Sequence, residues 1–226
     1  MDYPLALLLK TPLFAGLTES RLQSLLPLLA PQSRQYQKGE IVLIAGYENR
    51  DILVVTEGRA EAVKETGGAP FTVARLGPGG VIGDVLAGSH TKSPVTVKAL
   101  TPCCLLAFKY SLFLQPPGAD PALHRLLLTN LVALIADKYF ALNERVDLLL
   151  VHGLRRRLAA YLLAEAERAG SASFAIAYNR AQLAAHLGCE RSALCRVLSA
   201  MVRQGLVQTG RARFTLLQPQ ALRALL

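Results

Sequence analysis

The most informative stretch of this 226-residue chain runs from Asn179 to Met201 and reads NRAQLAAHLGCERSALCRVLSAM. Asn179 has the short polar side chain that caps helix N-termini, and Gly188 can adopt the backbone conformation of a tight corner. Apolar residues recur at helical spacing on both sides of that glycine. The stretch therefore predicts two short helices joined by a turn, which is the helix-turn-helix arrangement.

The second predicted helix separates its apolar residues from its polar ones. Its apolar face is formed by Leu194, Val197, Leu198 and Met201. The outer face, with the residue before the helix, carries Glu190, Arg191, Ser192, Cys195 and Arg196. An arginine fork can bond a guanine edge or a phosphate. An ordinary amphipathic helix with a solvated basic face has the same pattern, so this helix alone leaves both interpretations open.

The residues that follow predict a basic hairpin. Residues 205–208 and 214–217 have the composition of strands, and the turn between them contains Arg211 and Arg213, which we expect at its tip. A helix-turn-helix followed by such a hairpin is a winged helix. Together these features favour double-stranded DNA as the partner of residues 153–226. The candidate DNA-binding residues are Asn179, Arg180, Glu190, Arg191, Ser192, Cys195, Arg196, Arg211 and Arg213.

The charge distribution supports the same interpretation. The formal net charge is +9, and residues 154–226 hold 11 basic and 3 acidic side chains, whereas residues 1–118 hold 11 and 9. Every basic residue of the C-terminal segment is arginine, which suits forked phosphate and guanine contacts. A membrane surface or an acidic protein would also attract this charge, but neither requires helix-turn-helix spacing. The run 155–157 is one of two things, a phosphate contact or a solvated face.

The N-terminal half has a different pattern of apolar residues. Short apolar runs alternate with glycine-containing turns between residues 33 and 109, which predicts an antiparallel β-barrel or roll. We expect strands near 41–44, 52–56, 60–63, 72–74, 95–99 and 104–108. The predicted fold class is therefore α+β, with a β-roll over residues 1–118, a long helix over 119–152 and the winged helix over 153–226.

A long helix is predicted from about Pro121 to Leu150, with two apolar stripes. One is a heptad seam formed by Leu128, Val132, Ile135, Tyr139, Leu142, Val146 and Leu149. The other is formed by Leu123, Leu127, Leu131 and Leu134. We expect one stripe to pack on the β-roll and the other on a second copy of the chain. A helix wholly buried within its own chain is the alternative. His152-Gly153 is a plausible hinge.

Several classes of site are not expected. The four cysteines form no Cys-x-x-Cys pair, so the sequence predicts neither a metal site nor an iron–sulfur cluster. No nucleophile–base pair or paired carboxylates occur at workable spacing, so we expect no catalytic residues. The apolar start at residues 5–9 is too short for a signal peptide or membrane span. These observations predict a cytoplasmic protein with no membrane partner.

A glycine-dense segment at residues 77–89 is the candidate effector site, because main-chain amides freed of side chains can cradle an anion. A simple barrel turn is the alternative. The candidate effector-binding residues are Gly80, Val81, Ile82, Gly83, Asp84, Val85, Lys92, Ser93, Pro94 and Val95.

In the order of its parts the chain resembles the cyclic-AMP receptor / fumarate–nitrate regulator (CRP/FNR) superfamily of bacterial transcription factors. The matching pieces are residues 12–14, 38–40, Gly58, 77–79, 83–84, 96–97 and 180–196. The resemblance implies a cyclic-nucleotide-binding-like jelly roll, a dimer interface along the long helix, and RNA polymerase as a partner. It also implies that Arg191, Ser192 and Arg196 face the bases and that Arg180 touches phosphate.

Two departures from that family bear on function. Cyclic-AMP-binding members carry Gly-Glu followed by Arg-Ser, whereas this chain has Gly83-Asp84 and then Ser93-Pro94. The phosphate-pairing arginine is therefore missing, and Lys92 supplies only a point charge. We expect that cyclic AMP is not the effector. Ser192 stands where many members have glutamate, so the operator should differ at that base pair.

The cofactor is unknown from the sequence. Heme is a candidate because some members of the superfamily carry it, and His90 and His124 are the reasonable ligands, although solvent-facing histidines are the simpler interpretation. We expect His186 to be structural. The rival function is a small-molecule or heme-based sensor whose winged helix mainly mediates protein contacts.

Overall fold

The computed structural model describes residues 3–66, 69–83, 92–116, 118, 120–210 and 213–226. The chain divides into two compact units, one ending at Lys138 and the other beginning at Tyr139. The boundary lies within the long helix, so the helix contributes its first part to one unit and its last part to the other.

The first unit is a β-roll whose strands are preceded and followed along the chain by helices. It begins with α1 (Leu5–Leu8) and α2 (Glu19–Leu29), where the Thr18 side chain accepts a hydrogen bond from Arg21 N and caps α2. The strands are β1 (Gln32–Tyr36), β2 (Ile41–Leu43), β3 (Asp51–Glu57), β4 (Ala60–Thr66), β5 (Ala69–Leu76), β6 (Val81–Ile82), β7 (Thr96–Ala99) and β8 (Cys103–Lys109). Two helices follow, α3 (Tyr110–Leu114) and α4 (Pro121–Leu150).

These strands form two antiparallel sheets of four, in the orders β1-β8-β3-β6 and β2-β7-β4-β5. The predicted jelly roll is thereby confirmed. Strands β3 and β8 carry the most deeply buried positions, including Ile52, Val54 and Phe108. Phe108 also joins Phe14 and Phe113 in an aromatic cluster with ring centroids 5.6–6.2 Å apart. The three rings and the leucines of α2 share one core cluster with Ile52 and Val54, so they pack on one face of the β1-β8-β3-β6 sheet.

Helix α4 begins and ends where the heptad pattern predicts. Its stripe of Leu123, Leu127, Leu131 and Leu134 is buried in the core of the first unit. The predicted heptad seam, unlike this stripe, is largely exposed in the single chain. The side chains of Val132, Tyr139 and Leu142 are 66%, 59% and 60% exposed. Ile135 departs from the prediction, because it packs partly against the same core as the buried stripe.

Helix α4 is long and apolar enough to cross a membrane by length and composition. Its leucine stripe, however, completes the core of the first unit. Its second half also carries Asp137, Lys138, Glu144, Arg145 and Asp147. The packing and the charges favour a helix of a folded unit over a membrane span.

The second unit contains the last turns of α4, then α5 (Leu154–Ala169), β9 (Ser173–Ala175), α6 (Arg180–His186), α7 (Arg191–Arg203), β10 (Val207–Thr209), β11 (Arg213–Leu216) and α8 (Pro219–Arg223). The strands form one antiparallel sheet in the order β10-β11-β9. Phe174 and Phe214 stack within it with centroids 6.2 Å apart. The predicted winged helix-turn-helix fold is confirmed.

Candidate nucleic-acid interface and sensory site

Helix α6 begins at a reciprocal cap. Asn179 Oδ1 accepts a hydrogen bond from Gln182 N at 2.9 Å, and Gln182 Oε1 accepts one from Asn179 N at 2.8 Å. Such a capping box satisfies amides that have no partner within the helix. The predicted cap is therefore present, and the Asn179 side chain, which is also a candidate DNA contact, is occupied in forming it.

The turn between α6 and α7 needs glycine at position 188. Gly188 has φ +62°, the left-handed region that L side chains disfavour. A Cβ there would also lie 2.9 Å from Leu149 Cδ2 of α4. The turn is closed by Cys189 N donating to Ala184 O at 3.0 Å. The left-handed backbone therefore favours glycine here, and a larger residue would also have to displace the Leu149 side chain.

Helix α7 separates its faces as the sequence predicts. Leu194, Leu198 and Met201 are buried in the core of the second unit, and Val197 packs partly against them. On the opposite side, Glu190, Arg191, Ser192 and Arg196 are exposed, while Cys195 is half-buried. The core thus fixes the rotation of α7 about its axis, and the guanidinium groups of Arg191 and Arg196 remain on the surface.

The wing differs from the prediction in one respect. Arg213 is not at the tip of the hairpin but is the first residue of β11, where it is exposed and pairs with Ala175 of β9. Its carbonyl accepts a hydrogen bond from Gly210 N at 2.8 Å, which closes the turn ahead of it. The sequence pattern did not reveal β9, the strand that extends β11 to this residue. Arg211 lies outside the described residues.

Arg180 connects α6 to the wing. Its Cζ lies 4.8 Å from the centroid of the Phe214 ring, and its Nη2 donates to Gly210 O at 3.2 Å. Burial lowers the pKa of the guanidinium from its usual value. The structure thus gives Arg180 a packing role inside the unit, and the phosphate contact that the family resemblance implies stays a prediction.

Each guanidinium of the arginine run in α5 donates a hydrogen bond within the second unit, although Arg156 is exposed. Arg155 donates to Gln204 Oε1 at 2.6 Å. Arg156 donates to Leu225 O and Leu226 O at 2.6 and 2.9 Å. Arg157 donates to Leu187 O and Val151 O. The sequence shows three charges but not their acceptors, which are a side-chain amide for Arg155 and backbone carbonyls for Arg156 and Arg157.

His186 is held as a neutral aromatic side chain at the end of α6. Its ring stacks on Tyr178, with centroids 4.9 Å apart, and meets the Tyr161 ring edge-on at 5.4 Å. Burial lowers the pKa of His186 to about 4, with a further contribution from Arg145 and Arg168. This environment supports the expected structural role.

In the β-roll, the candidate effector-binding residues Val81 and Ile82 are buried and form β6, where they pair with Val54 and Leu53 of β3. Gly80 has no room for a side chain, because a Cβ there would lie 2.9 Å from both Gly77 O and Leu76 Cβ. Gly83 has φ +83°. Tight barrel packing accounts for these glycines, which was the simpler interpretation of the segment. Asp84, Val85 and His90 lie outside the described residues.

Ser93 is buried and its polar groups are used within the fold. Its Oγ donates to Val95 O at 2.7 Å and accepts from Val95 N at 3.3 Å. Its backbone pairs with Tyr47 O and Gly46 N. Pro94 has no amide hydrogen, and Lys92 is exposed. At the positions where the family resemblance places Arg-Ser, this chain therefore has a satisfied turn.

Of the two candidate heme ligands, only His124 lies within the described residues. His124 is half-buried in α4, and His152 is exposed in the break after it. Cys103, Cys104, Cys189 and Cys195 are free thiols. Within the described ranges, no three His, Cys, Asp or Glu side chains cluster as a metal site would require.

Two domain families match the chain. Residues 33–115 match the cyclic nucleotide-binding domain, and residues 156–225 match the Crp-like helix-turn-helix domain. The first match covers the β-roll and the second covers the winged helix, so together they span both of the structural units described above.

Individual relatives agree with the domain matches. The Cyclic AMP receptor protein of Thermus thermophilus is 28% identical over 201 residues, which are 88% of this chain and 89% of the relative. The crystal structure of Thermus thermophilus Catabolite Activator Protein aligns with a TM-score of 0.55 at 28% identity, over 95% of this chain and 98% of that one. A CooA variant from Carboxydothermus hydrogenoformans has a TM-score of 0.67 over 99% and 96% of the two chains. Its 18% identity limits the likeness to the fold.

Proposed function

We propose that this chain, which belongs to the CRP/FNR superfamily of transcription regulators, binds a near-palindromic operator as a homodimer under the control of a small effector in its β-roll. Its relatives are regulators rather than enzymes. A cytoplasmic location and RNA polymerase as a protein partner follow from the same proposal.

The exposed face of α7 is the observation that carries the DNA-binding role. Arg191 and Arg196 project from a helix whose opposite side is fixed by Leu194, Leu198 and Met201 in the core. A helix-turn-helix places its second helix in the major groove, where arginine bonds guanine O6 and N7 as a pair. The same arginines would meet phosphates if the helix lay less deeply.

The apolar seam of α4 supports a homodimer. Its residues are regularly spaced, yet Val132, Tyr139, Leu142 and Val146 are all more than two-fifths exposed in the single chain. A second copy of the same seam would cover them, as a/d positions do in coiled coils. Two copies would also present two α7 helices, which is the arrangement that a two-fold symmetric operator requires.

The effector that we propose is not cyclic AMP, although a relative is named a Cyclic AMP receptor protein. A cyclic phosphate needs a cationic fork or free amides. The hydroxyl and backbone groups of Ser93 are instead hydrogen-bonded within the fold, and Pro94 has no amide hydrogen to donate. The chemical class of the effector stays open.

The direct test of DNA binding uses the α7 arginines. We expect Arg196→Ala to weaken operator binding by ~10-fold or more, as for loss of one bidentate base contact. Arg223→Ala is the matched control, since Arg223 on α8 is also exposed in the second unit but pairs with Glu167 of α5. If the winged helix served only protein contacts, the wild type and both variants would all fail to bind DNA.

A further inference from the structure

Arg157 in α5 joins segments of the second unit that are far apart in the sequence. Its Nη1 donates to Leu187 O at 2.6 Å, and its Nε and Nη2 donate to Val151 O at 3.4 and 3.2 Å. Leu187 ends α6 at the turn of the helix-turn-helix, and Val151 directly follows α4. One guanidinium therefore bridges the break after α4 and the turn before α7.

The last turns of α4 contact the same turn independently of Arg157. Arg145 Nη2 donates to Ala185 O at 3.3 Å. Leu149 approaches Gly188 so closely that a Cβ on that glycine would lie 2.9 Å from its Cδ2. Glu144 Oε2 accepts from Arg168 Nη2 of α5 at 2.7 Å. The end of α4, the break at 151–153 and the turn at 185–188 thus form one cross-linked joint.

This joint bears on how the recognition helix is moved. His152-Gly153 was the predicted hinge, and the structure does place a non-helical break there, with Gly153 at φ +85°. Bending at that break would separate Val151 from Leu187 and so require Arg157 to leave at least one carbonyl. An unpaired carbonyl and a half-buried guanidinium are costly together, because each loses a charge-assisted hydrogen bond.

We propose that Arg157 is a positioning residue, which locks the helix-turn-helix turn to the end of α4 so that the last turns of α4 and the recognition helix α7 move as one body. The proposal rests on the DNA-binding function proposed above and adds how the DNA-reading face is held. Pre-ordering of the joint reduces the conformational entropy that is lost when α7 engages DNA. Arg157 itself need not touch DNA.

The test compares Arg157→Met, Arg157→Lys and Arg156→Met with the wild-type full-length protein on an operator recovered by selection. Arg156→Met is the matched control, since it removes the neighbouring charge from the same helix but affects bonds to Leu225 O and Leu226 O. Three quantities are measured: operator affinity, its dependence on salt concentration, and amide hydrogen exchange at residues 185–189.

We expect Arg157→Met to bind the operator ~10-fold more weakly with an unchanged salt dependence, because no phosphate contact is lost. Exchange at 185–189 should rise in the same variant. Arg157→Lys, which keeps the charge, should recover part of both effects, and Arg156→Met should show neither. Arg157→Lys also carries the test if Arg157→Met fails to fold.

Three outcomes would overturn the proposal. Wild-type affinity and exchange in Arg157→Met would show that the clamp is dispensable. A shallower salt dependence would make Arg157 a phosphate contact. An equal loss of operator affinity in Arg156→Met would show that removing a positive charge from α5, rather than breaking the Arg157 contacts, causes the effect. A wild-type protein that binds no DNA would contradict the proposed function instead, and the exchange measurement would still decide whether Arg157 holds the joint.

Discussion

The guanidinium of Arg180 lies over the ring of Phe214, with its Cζ 4.8 Å from the ring centroid. Arg180 opens the first helix of the helix-turn-helix, and Phe214 lies in the wing strand β11. A cation–π contact of this kind favours a planar, delocalised cation. The helix-turn-helix and the wing are therefore held together by a residue whose sequence position had suggested only a DNA contact.

This contact predicts that Arg180→Lys will destabilise the second unit even though it conserves charge. We expect a loss of about 1 kcal/mol in the free energy of unfolding, since lysine cannot stack on Phe214 and bond Gly210 O with the same geometry. Arg191→Lys is the control, because Arg191 is exposed on α7. Equal thermal midpoints for the two variants would show that the stacking contributes nothing.

The pKa of His186 predicts a stability change with pH. Its pKa is lowered to about 4 in the folded protein, while the unfolded value is near 6.5. The unfolded chain therefore takes up the proton first, so stability is complete above about pH 6.5 and falls as the pH drops toward 4. We expect a loss of ~2 kcal/mol between about pH 7.5 and pH 5.

Denaturant unfolding at several pH values, with His186→Phe beside the wild type, measures this effect. Phenylalanine keeps an aromatic ring between Tyr161 and Tyr178 and removes the titrating group. The variant should lose most of the pH dependence in that interval. If its unfolding free energy falls with acid as steeply as that of the wild type, other groups are responsible.

The proposed dimer seam predicts that Leu142→Asp will dissociate the dimer. Leu142 is 60% exposed in the single chain, and a symmetric seam would bury two new carboxylates close together. We expect the dimer dissociation constant to rise by ~100-fold. Ala141→Asp adds the same charge one position away, outside the seam. Sedimentation analysis that gives the same mass for both variants and the wild type would contradict this interface.

The turn at Ser93 and Pro94 predicts that cyclic AMP will leave the protein unaffected. Because the donors of Ser93 are engaged within the fold and Pro94 has no amide hydrogen, micromolar cyclic AMP should not raise the thermal midpoint. The Cyclic AMP receptor protein of Thermus thermophilus is a suitable comparison protein in the same assay. A clear rise in the midpoint of this chain would mean that other residues of the roll bind the nucleotide.

The sequence predicted best those elements whose signals are local. The bounds of α4 follow from the helical apolar pattern after Pro121, and the start of α6 follows from the Asn179 cap. Helix α7 was predicted with its buried and exposed faces correctly assigned, since its apolar residues keep helical spacing. Periodicity and capping depend on residues a few positions apart, so they can be recognised from the sequence alone.

Elements that depend on distant partners were missed. Strand β1 reads QSRQY and has no apolar alternation, yet it pairs along its whole length with β8. Strand β6 is two residues within a glycine-rich segment and exists because it pairs with β3. The roles of Arg157 and Arg180 likewise depend on carbonyls and rings far along the chain. Local sequence specifies their charge but not their partners.

The most direct test of the account is selection of bound fragments from random duplex DNA by the purified protein, with an Arg191→Ala/Arg196→Ala double variant run in parallel. The account predicts that the wild type enriches a two-fold symmetric motif whose half-sites lie one helical turn apart, and that the double variant loses it. Enrichment of a single unpaired half-site, or of the same fragments by both proteins, would contradict a homodimer that reads DNA through α7.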